Sequence, residues 1–411
     1  MNTARIERPT QTPAGLREIW RDFGSLYAAN GLIGFIFAAT GPVAIILSVG
    51  SRGGLSEAEL ASWLFGSFFV NGLLSILFCW RYRQPLVFFW TIPGTVLVGQ
   101  ALEHLRFSEV VGAFVLTGLL MIALAFTGWI KRLMAAVPMP IVMGMVAGVF
   151  LRFGLDLVHA MHEAPAIAAP MVLAFIAASA WPALGRRAPP VIAALIAGAV
   201  AVALVGNTGG ALAHAFELAR PVFQHPEWSA AAAFELVLPL AITVLIVQNG
   251  QGFAVLEPVG HRAPVNAVTL GCGVWSCATA LIGTVSTCLT GPTNALISSS
   301  GERERHYTAG IFVGLLSLAF GLFAPGFTRL LLATPPAFIA VLAGLAMLRV
   351  LQTAFQVSFR ERFPLGALVA FLVTVANQPI AGIGAPFWGL VIGFACAWLL
   401  ERGDFKARKA G

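Results

Sequence analysis

Twelve stretches of this chain carry no Asp, Glu, Lys or Arg: 23–51, 60–80, 84–102, 110–130, 133–151, 164–185, 188–213, 236–256, 263–301, 307–328, 330–348 and 363–400. The charged residues fall in short clusters between them. A helix of about 20 residues crosses the roughly 30 Å hydrocarbon layer of a bilayer, and most of these stretches are long enough to do so. A surface helix of a soluble protein keeps one polar face, and these keep none. The pattern predicts a polytopic α-helical membrane protein. Two runs, 263–301 and 363–400, exceed one span and each reads as a pair. The first divides near 284–287 and the second near 377–382, where Asn377, Gln378, Pro379 and Gly382 supply turn chemistry. Fourteen elements result, at about 28–50, 60–79, 84–102, 109–130, 134–155, 165–183, 189–206, 233–256, 264–284, 286–300, 308–326, 332–350, 364–377 and 383–400. A twelve-element count would treat the third and tenth as less than full spans.

Those two elements share a grammar. The third, QPLVFFWTIPGTVLVGQAL, opens with a β-prone run from Leu86 to Thr91 and then reaches Pro93-Gly94. Proline disfavours helix just before itself and suits the first helical turn. An extended approach to about residue 92 and a short helix from Pro93 to about Glu103 are expected. The tenth, STCLTGPTNALISSS, runs non-helically to Thr290-Gly291 and opens a helix at Pro292. Proline kinks in continuous helices are the simpler alternative at each place. With alternating crossings, both short helices begin near the membrane centre and run to opposite sides. Each N-terminus there carries unpaired N–H groups and the positive end of the helix dipole. Opposed half-helices at the midplane, one in each half of a chain, are the pattern of inverted-repeat secondary transporters. The expected fold is an all-α polytopic membrane protein with 14 transmembrane elements in a 7+7 inverted repeat, broken at elements 3 and 10. Its parts would be a cytoplasmic tail at 1–22, a first repeat at 23–206, an extracytoplasmic linker at 207–230, a second repeat at 231–402 and a cytoplasmic tail at 403–411.

Composition and charge change this picture in one respect. The chain is 58% hydrophobic and 10% charged, with a net charge of +7. A positive balance suggests nucleic acid, but here the basic residues mark a side of the membrane. With the N-terminal tail in the cytoplasm, 20 of the 25 Lys and Arg residues lie in inner segments. Only Arg52, Arg106, Arg152, Arg220 and Arg329 lie in outer ones. Positive-inside bias explains such a split and puts both termini in the cytoplasm. No compact apolar segment with a small-residue cleavage site follows the tail, so a cleaved signal is not expected. The five cysteines all lie in apolar segments and read as packing residues, and the seven histidines lie in loops or near span ends. His159 and His162 read as a loop pair. No metal set, no cofactor motif, no converged catalytic group and no phosphate-binding loop emerges.

Candidate chemistry lies around the two breaks. Two positive helix ends suit an anion. No Lys or Arg occurs in the midplane segments as drawn, so backbone N–H groups, amides and hydroxyls would neutralise it. The candidates are Thr91, Gly94 and Thr95 on the first half-helix and Thr290, Gly291, Thr293 and Asn294 on the second. Thr40, in Ala39-Thr40-Gly41-Pro42, and Gln248, Asn249 and Gln251 should face them from the first element of each repeat. Amides inside an apolar helix are costly unless paired. Interhelical packing is the plainer explanation for them. Gln248 and Asn249 are adjacent, about 100° apart on a helix, so one should dominate. Phe35, Phe37, Phe89, Trp90, Phe253 and Trp275 are near enough in sequence to line a cavity; Phe89 and Trp90 immediately precede a helix opening.

The chain resembles the bacterial benzoate:proton symporter family over nearly its whole length. The resemblance is carried by Tyr82–Gly99 (YRQPLVFFWTIPGTVLVG), Ala147–Leu155 (AGVFLRFGL), the Gln248-Asn249 helix, and Phe371–Gly393 (FLVTVANQPIAGIGAPFWGLVIG). That family is similar in layout to the nucleobase and anion transporters of seven-plus-seven inverted repeats. The resemblance implies a substrate-carrying core domain at about 28–130 plus 233–326, and a gate domain at about 134–206 plus 332–400 that forms the contact of a homodimer where there is one. Nucleobase carriers of this layout use carboxylates in elements eight and ten. This chain has amides and hydroxyls at Gln248, Asn249 and around Thr290-Gly291. Loss of those carboxylates fits an anionic substrate, because like charges in a dry site repel.

The expected function is proton-coupled import of benzoate or a similar small aromatic carboxylate across the bacterial inner membrane, by alternating access around a midplane site. A nucleobase or other anion transporter of the same fold, and an anion channel, are the alternatives. The candidate proton carriers are Glu235, Glu257 and Glu103; co-entry of proton and substrate without a protein carboxylate is the other route. Neither an enzymatic activity nor a nucleic-acid partner is expected.

Overall fold

Inside a bilayer no water competes for backbone N–H and C=O groups, so apolar runs close their hydrogen bonds within themselves as helices. The computed structural model describes residues 6–130, 138–181, 190–205, 217–299, 301–360, 362–378, 380 and 385–405. Tail residues 1–5 and 406–411, Lys131, Arg132, Arg186, Arg187, Pro379, Gly382 and linker residues 207–216 lie outside the described residues.

After the short helix α1 (Leu16–Asp22), the first apolar run forms α2 (Ser25–Ala39) and α3 (Gly41–Arg52), which meet at Thr40. Then come α4 (Glu57–Tyr82), strand β1 (Phe88–Trp90), α5 (Ile92–Ala101), α6 (Phe107–Thr127), α7 (Met139–Glu163), α8 (Pro165–Ala180) and α9 (Pro190–Val205). The second half gives α10 (Ala230–Leu256), α11 (Val265–Ala280), strand β2 (Thr287–Leu289), α12 (Gly291–Ile297), α13 (His306–Leu322) and α14 (Ala324–Leu332). It ends with α15 (Pro336–Phe359), α16 (Pro364–Ala376) and α17 (Ala385–Leu400). Among the described residues six helices are long and apolar enough to span alone: α2 with α3, α4, α6, α7, α10 and α15. The run through α13 and α14, bent by 67°, makes a seventh.

Two expected boundaries move. The element drawn at 134–155 continues to Glu163, so His159 and His162 sit on the last turns of α7 rather than in a loop. The element drawn at 332–350 begins at Pro336 and continues to Phe359. Both were ended one to three residues past an arginine, Arg152 or Arg349. An arginine ends an apolar run in sequence, but a helix carries one where its side chain meets water, an ion partner or a cavity.

The helices pack as two sets. In one, α6 lies along α11, α13 along α4 and α2, and α12 against α2 and α10. In the other, α7 lies along α15 and α16, α8 along α9, and α16 along α17. Small residues allow the close crossings: a Cβ at Gly144 would lie 2.3 Å from the carbonyl oxygen of Ala367, and one at Gly118 2.9 Å from that of Gly273. At one end ion pairs bridge the sets. Arg52 at the end of α3 meets Asp156 of α7 at 2.7 Å, and Glu103 after α5 meets Arg152 of α7 at 2.8 Å. The chain before α1 docks onto the first set, where the Glu7 carboxylate accepts from the Asn266 and Ala267 N–H groups at the start of α11 (2.9 and 3.0 Å). Residues 217–229 run across the ends of α13, α11 and α6, bonding through Ala219, Gln224 and Glu227.

Candidate functional site

At both breaks the backbone leaves the helical state inside the protein, so each freed group needs a partner. The strands β1 and β2 supply some to each other. They pair antiparallel, Phe88 with Leu289, Phe89 with Cys288 and Trp90 with Thr287, and the pairing extends through Thr91 N–H to Ser286 and Thr290 N–H to Val87. Side chains from neighbouring helices supply the rest. Ser75 accepts from Phe88 N–H at 2.8 Å, Ser276 from Thr287 N–H at 2.9 Å, and Asn249 from Leu289 N–H at 2.7 Å. Asn294 accepts from Val87 N–H at 2.9 Å and donates to the carbonyls of Val87 and Thr290 at 3.2 and 2.7 Å. Polar residues scattered through apolar helices thus hold the crossing strands.

The helices that follow open differently. Thr91 caps α5, its hydroxyl accepting from Gly94 N–H at 3.1 Å and donating to Thr243 at 3.3 Å. Thr95 bonds back to the Thr91 carbonyl at 2.9 Å. Thr290, at the same place before α12, makes no side-chain cap. The two glycines admit neighbours. A Cβ at Gly94 would lie 2.8 Å from Leu240 of α10, and one at Gly291 would lie 2.5 Å from the Gln251 side chain.

A cavity of about 820 Å³ begins where α2 meets α3 and the half-helices open. Thr40, Phe37, Phe89, Trp90, Pro93, Gln248, Gln251, Thr290 and Thr293 line it on the side of the first helix set. The second set contributes Met139, Met143, Val146 and Phe150 of α7, Phe175 and Ser179 of α8, Pro190 and Val191 of α9, and a face of α15 from Leu345 to Val357. Met139, Ser179, Pro190 and Val357 lie in terminal turns of their helices, so the cavity reaches the end of the molecule opposite the Arg52–Asp156 and Arg152–Glu103 pairs.

Six expected site residues therefore sit in the wall: Thr40, Phe89, Trp90, Gln248, Gln251, Thr290, with Thr293 a seventh. Six others do not: Thr91, Gly94, Thr95, Asn249, Gly291 and Asn294 serve as caps, spacers or strand ties. Of the adjacent amides, Gln248 lines the cavity and Asn249 turns to β2. Gln248 ends a π-helical turn, Thr243–Gln248, a local widening of the helix common at functional sites. Among the described residues neither Gln248 nor Gln251 has a side-chain hydrogen bond, and Trp90 Nε1 and Thr293 Oγ1 are buried without one. Trp90 and Thr293 share this with several other buried polar side chains, and Gln251 is exposed. Of the other aromatics, Phe35 belongs to a cluster with Phe68 and Phe320 behind β1, and the Trp275 Nε1 donates to Val70.

The wall from the second set was missed. Its signal is periodic: Met139, Met143, Val146 and Phe150, and Ala346, Val350, Thr353 and Val357, each follow i, i+4, i+7, i+11, one helical face. One basic residue, Arg349, also lines this wall.

The proposed proton carriers separate by burial. Glu235 is buried in α10 and meets His104 at 2.9 Å. Glu103 is exposed and bound to Arg152 and Asn377, and Glu257 is exposed. None of the three lines the cavity.

Comparison with known proteins adds the following. The model of the family described as Benzoate membrane transport protein matches residues 24–399. The chain is 27% identical over 394 residues to the Benzoate membrane transport protein of Acinetobacter baylyi, covering 94% of this chain and 98% of that protein. It is 29% identical over 375 residues to the Inner membrane protein YdcO of Escherichia coli K12, covering 90% and 95%. In architecture it is similar to the transmembrane domain of the cyanobacterial bicarbonate transporter BicA, with a TM-score of 0.59, 16% identity, and coverage of 93% of this chain and 99% of that one.

Proposed function

The chain belongs to the benzoate membrane transport protein family, and on that premise we propose that it imports benzoate or a similar small aromatic carboxylate together with protons. The observation that carries this reading is the cavity at the two breaks. Its wall is mostly aromatic and aliphatic, with a few polar side chains at the breaks, Thr40, Gln248, Gln251, Thr290 and Thr293. Apolar walls with a few placed polar groups suit a small ring bearing one charged end. An inorganic anion would gain little from such walls, and a nucleobase would lack the carboxylate partners of nucleobase carriers.

On this reading fourteen elements form a 7+7 inverted repeat, with β1–α5 and β2–α12 as its two broken members; the antiparallel pairing of β1 with β2 supports it. The first helix set is the proposed core (about 28–130 plus 233–326), and the second the proposed gate (about 134–206 plus 332–400). The basic residues put the open end of the cavity and both chain termini in the cytoplasm. The structure then corresponds to an inward-open state, with Arg52–Asp156 and Arg152–Glu103 closing the outside. Alternating access moves the core against the gate and exchanges these contacts. Glu235, buried and paired with His104, is the proposed proton carrier.

Protein in liposomes is expected to raise the initial rate of benzoate uptake above that of protein-free liposomes, which sets the passive flux of the neutral acid. An acidic outside should drive protein-dependent accumulation. Collapsing the proton gradient should abolish it while labelled and unlabelled benzoate still exchange. Protein-dependent accumulation that survives collapse of the pH and electrical gradients would end the symport reading. Nucleobase uptake without any aromatic carboxylate flux would replace the substrate.

A further inference from the structure

We propose that Arg349 is a carboxylate-binding point on the gate side of the cavity, which receives the anionic end of the substrate between the half-helix openings and the cytoplasm. This rests on the reading of the cavity as a path for an aromatic carboxylate. Arg349 is the fourteenth of the 24 residues of α15, just past the middle of that helix. Ala346, three residues earlier and on nearly the same face, abuts the α2–α3 break, where a Cβ at Gly41 would lie 2.2 Å from its own Cβ. At about 1.5 Å of rise per residue, the Arg349 backbone is roughly one helical turn from that break. Its flexible side chain spans much of the remaining distance.

The Arg349 side chain is exposed, and three observations bear on what it is exposed to. Among the described residues that line the cavity, Arg349 is the one Asp, Glu, Lys, Arg or His. Val350, Thr353 and Val357 continue the same wall, so the charge is set in an otherwise apolar face with a single hydroxyl. And among the described residues no carboxylate lies within ion-pair distance of it. Its one side-chain hydrogen bond is from Nη1 to Gln352 Oε1 at 3.1 Å. Arg52, Arg106, Arg152 and Arg329 are each paired with carboxylates, whereas Arg81, Arg220, Arg262 and Arg402 show no such pair among the described residues, so it is the place of Arg349 in the cavity wall that sets it apart. An arginine kept within a spanning helix is costly unless it faces a wet or polar path and has work there. The guanidinium has five N–H donors, and four remain for an incoming carboxylate, enough for a two-pronged grip. The gate thus supplies a fixed cation, and the core supplies neutral donors. An anion passes from one to the other as the core moves.

The test compares Arg349→Gln and Arg349→Lys with the full wild-type chain in liposomes, with benzoate as substrate and benzamide as an uncharged competitor. Arg349→Gln should raise the benzoate KM about tenfold or more, as loss of a charge-assisted contact does, with kcat within about twofold. Arg349→Lys should recover part of the affinity, since it restores the charge without the fork. Inhibition by benzamide and the melting temperature of both variants should match wild type. The wild-type KM should rise with salt and the Gln variant's should not. An unchanged KM in Arg349→Gln, or equal losses for benzoate and benzamide, would overturn the proposal while leaving benzoate transport standing. A wild-type protein that moves no aromatic carboxylate would remove the underlying reading itself.

Discussion

The two broken elements have one sequence grammar and two chemistries. Each is an extended run, a threonine and a proline-opened helix. At the first, Thr91 is turned into the protein, where it caps Gly94 N–H and bonds Thr243. What that element shows the cavity is Phe89, Trp90, Ile92 and Pro93. At the second, Thr290 makes no side-chain cap, and Thr290 and Thr293 enter the cavity wall, with the Thr293 hydroxyl unpartnered. The difference arises in the neighbours. Helix α10 offers Thr243 and Leu240 to the first break and Gln248 and Gln251 to the second. One break is thus finished internally and presents a mainly apolar wall. The other is left polar. Pseudo-symmetry sets where the chain breaks, and the residues packed on each break decide what it offers a ligand.

The largest effect is expected where the second break is held. Asn294→Leu removes three hydrogen bonds and strands Val87 N–H in the interior, while the Val87 carbonyl keeps the Thr290 N–H. Unsatisfied buried groups cost about 1–3 kcal/mol each, so a loss of roughly 3 kcal/mol and a sharp fall in membrane abundance are expected. Asn249→Ala should fall by about half as much, since it mainly strands Leu289 N–H. Gln248→Ala should leave the melting temperature unchanged and weaken uptake. Normal stability of Asn294→Leu would show that the strands do not depend on these ties.

The threonines test the comparison directly. Thr293→Val keeps shape and removes an unpartnered hydroxyl, so stability should hold or rise slightly. If that hydroxyl meets substrate, the benzoate KM should rise about tenfold. Thr91→Val should do the reverse, costing about 1 kcal/mol as a lost helix cap while leaving KM near wild type. Melting curves and uptake kinetics on the same preparations separate the two patterns. Equal behaviour of the pair would mean that the breaks are chemically equivalent after all.

Much of the fold was legible because bilayer physics is written in charge spacing. The two breaks were legible because proline and glycine act locally: Thr91-Ile92-Pro93-Gly94 and Thr290-Gly291-Pro292 need no partner to be read. The site was legible only in part. Which of Gln248 and Asn249 faces the cavity depends on whether Leu289 N–H lies within reach, a fact of tertiary packing. The same holds for Asn294, whose partner Val87 is 207 residues away. The α15 wall was hidden for another reason. Drawing that element only to residue 350, one past Arg349, left off the last turns of the helix.

The smallest expected effect concerns the ends of the two elements. Past α5, His104 meets the carboxylate of Glu235; past α12, His306 at the start of α13 meets His261, in the loop between α10 and α11, at 3.1 Å. Burial, with the charges of His306 and Arg303 nearby, pushes the His261 imidazole down from the usual 6.5 to about 4. The unfolded chain therefore takes up this proton below about pH 6.5, and the folded protein does not until about pH 4. Across that window the unfolded state binds more protons, so stability falls as pH falls and is fully present only above about 6.5. Between pH 7.5 and 5.5 the loss should be roughly 1 kcal/mol, read as a lower melting temperature in detergent. His261→Gln should remove that part of the slope, whereas a substitution of His104 should leave it in place. A wild-type slope retained in His261→Gln would place the acid-sensitive contact elsewhere and weaken the contrast between the two element ends.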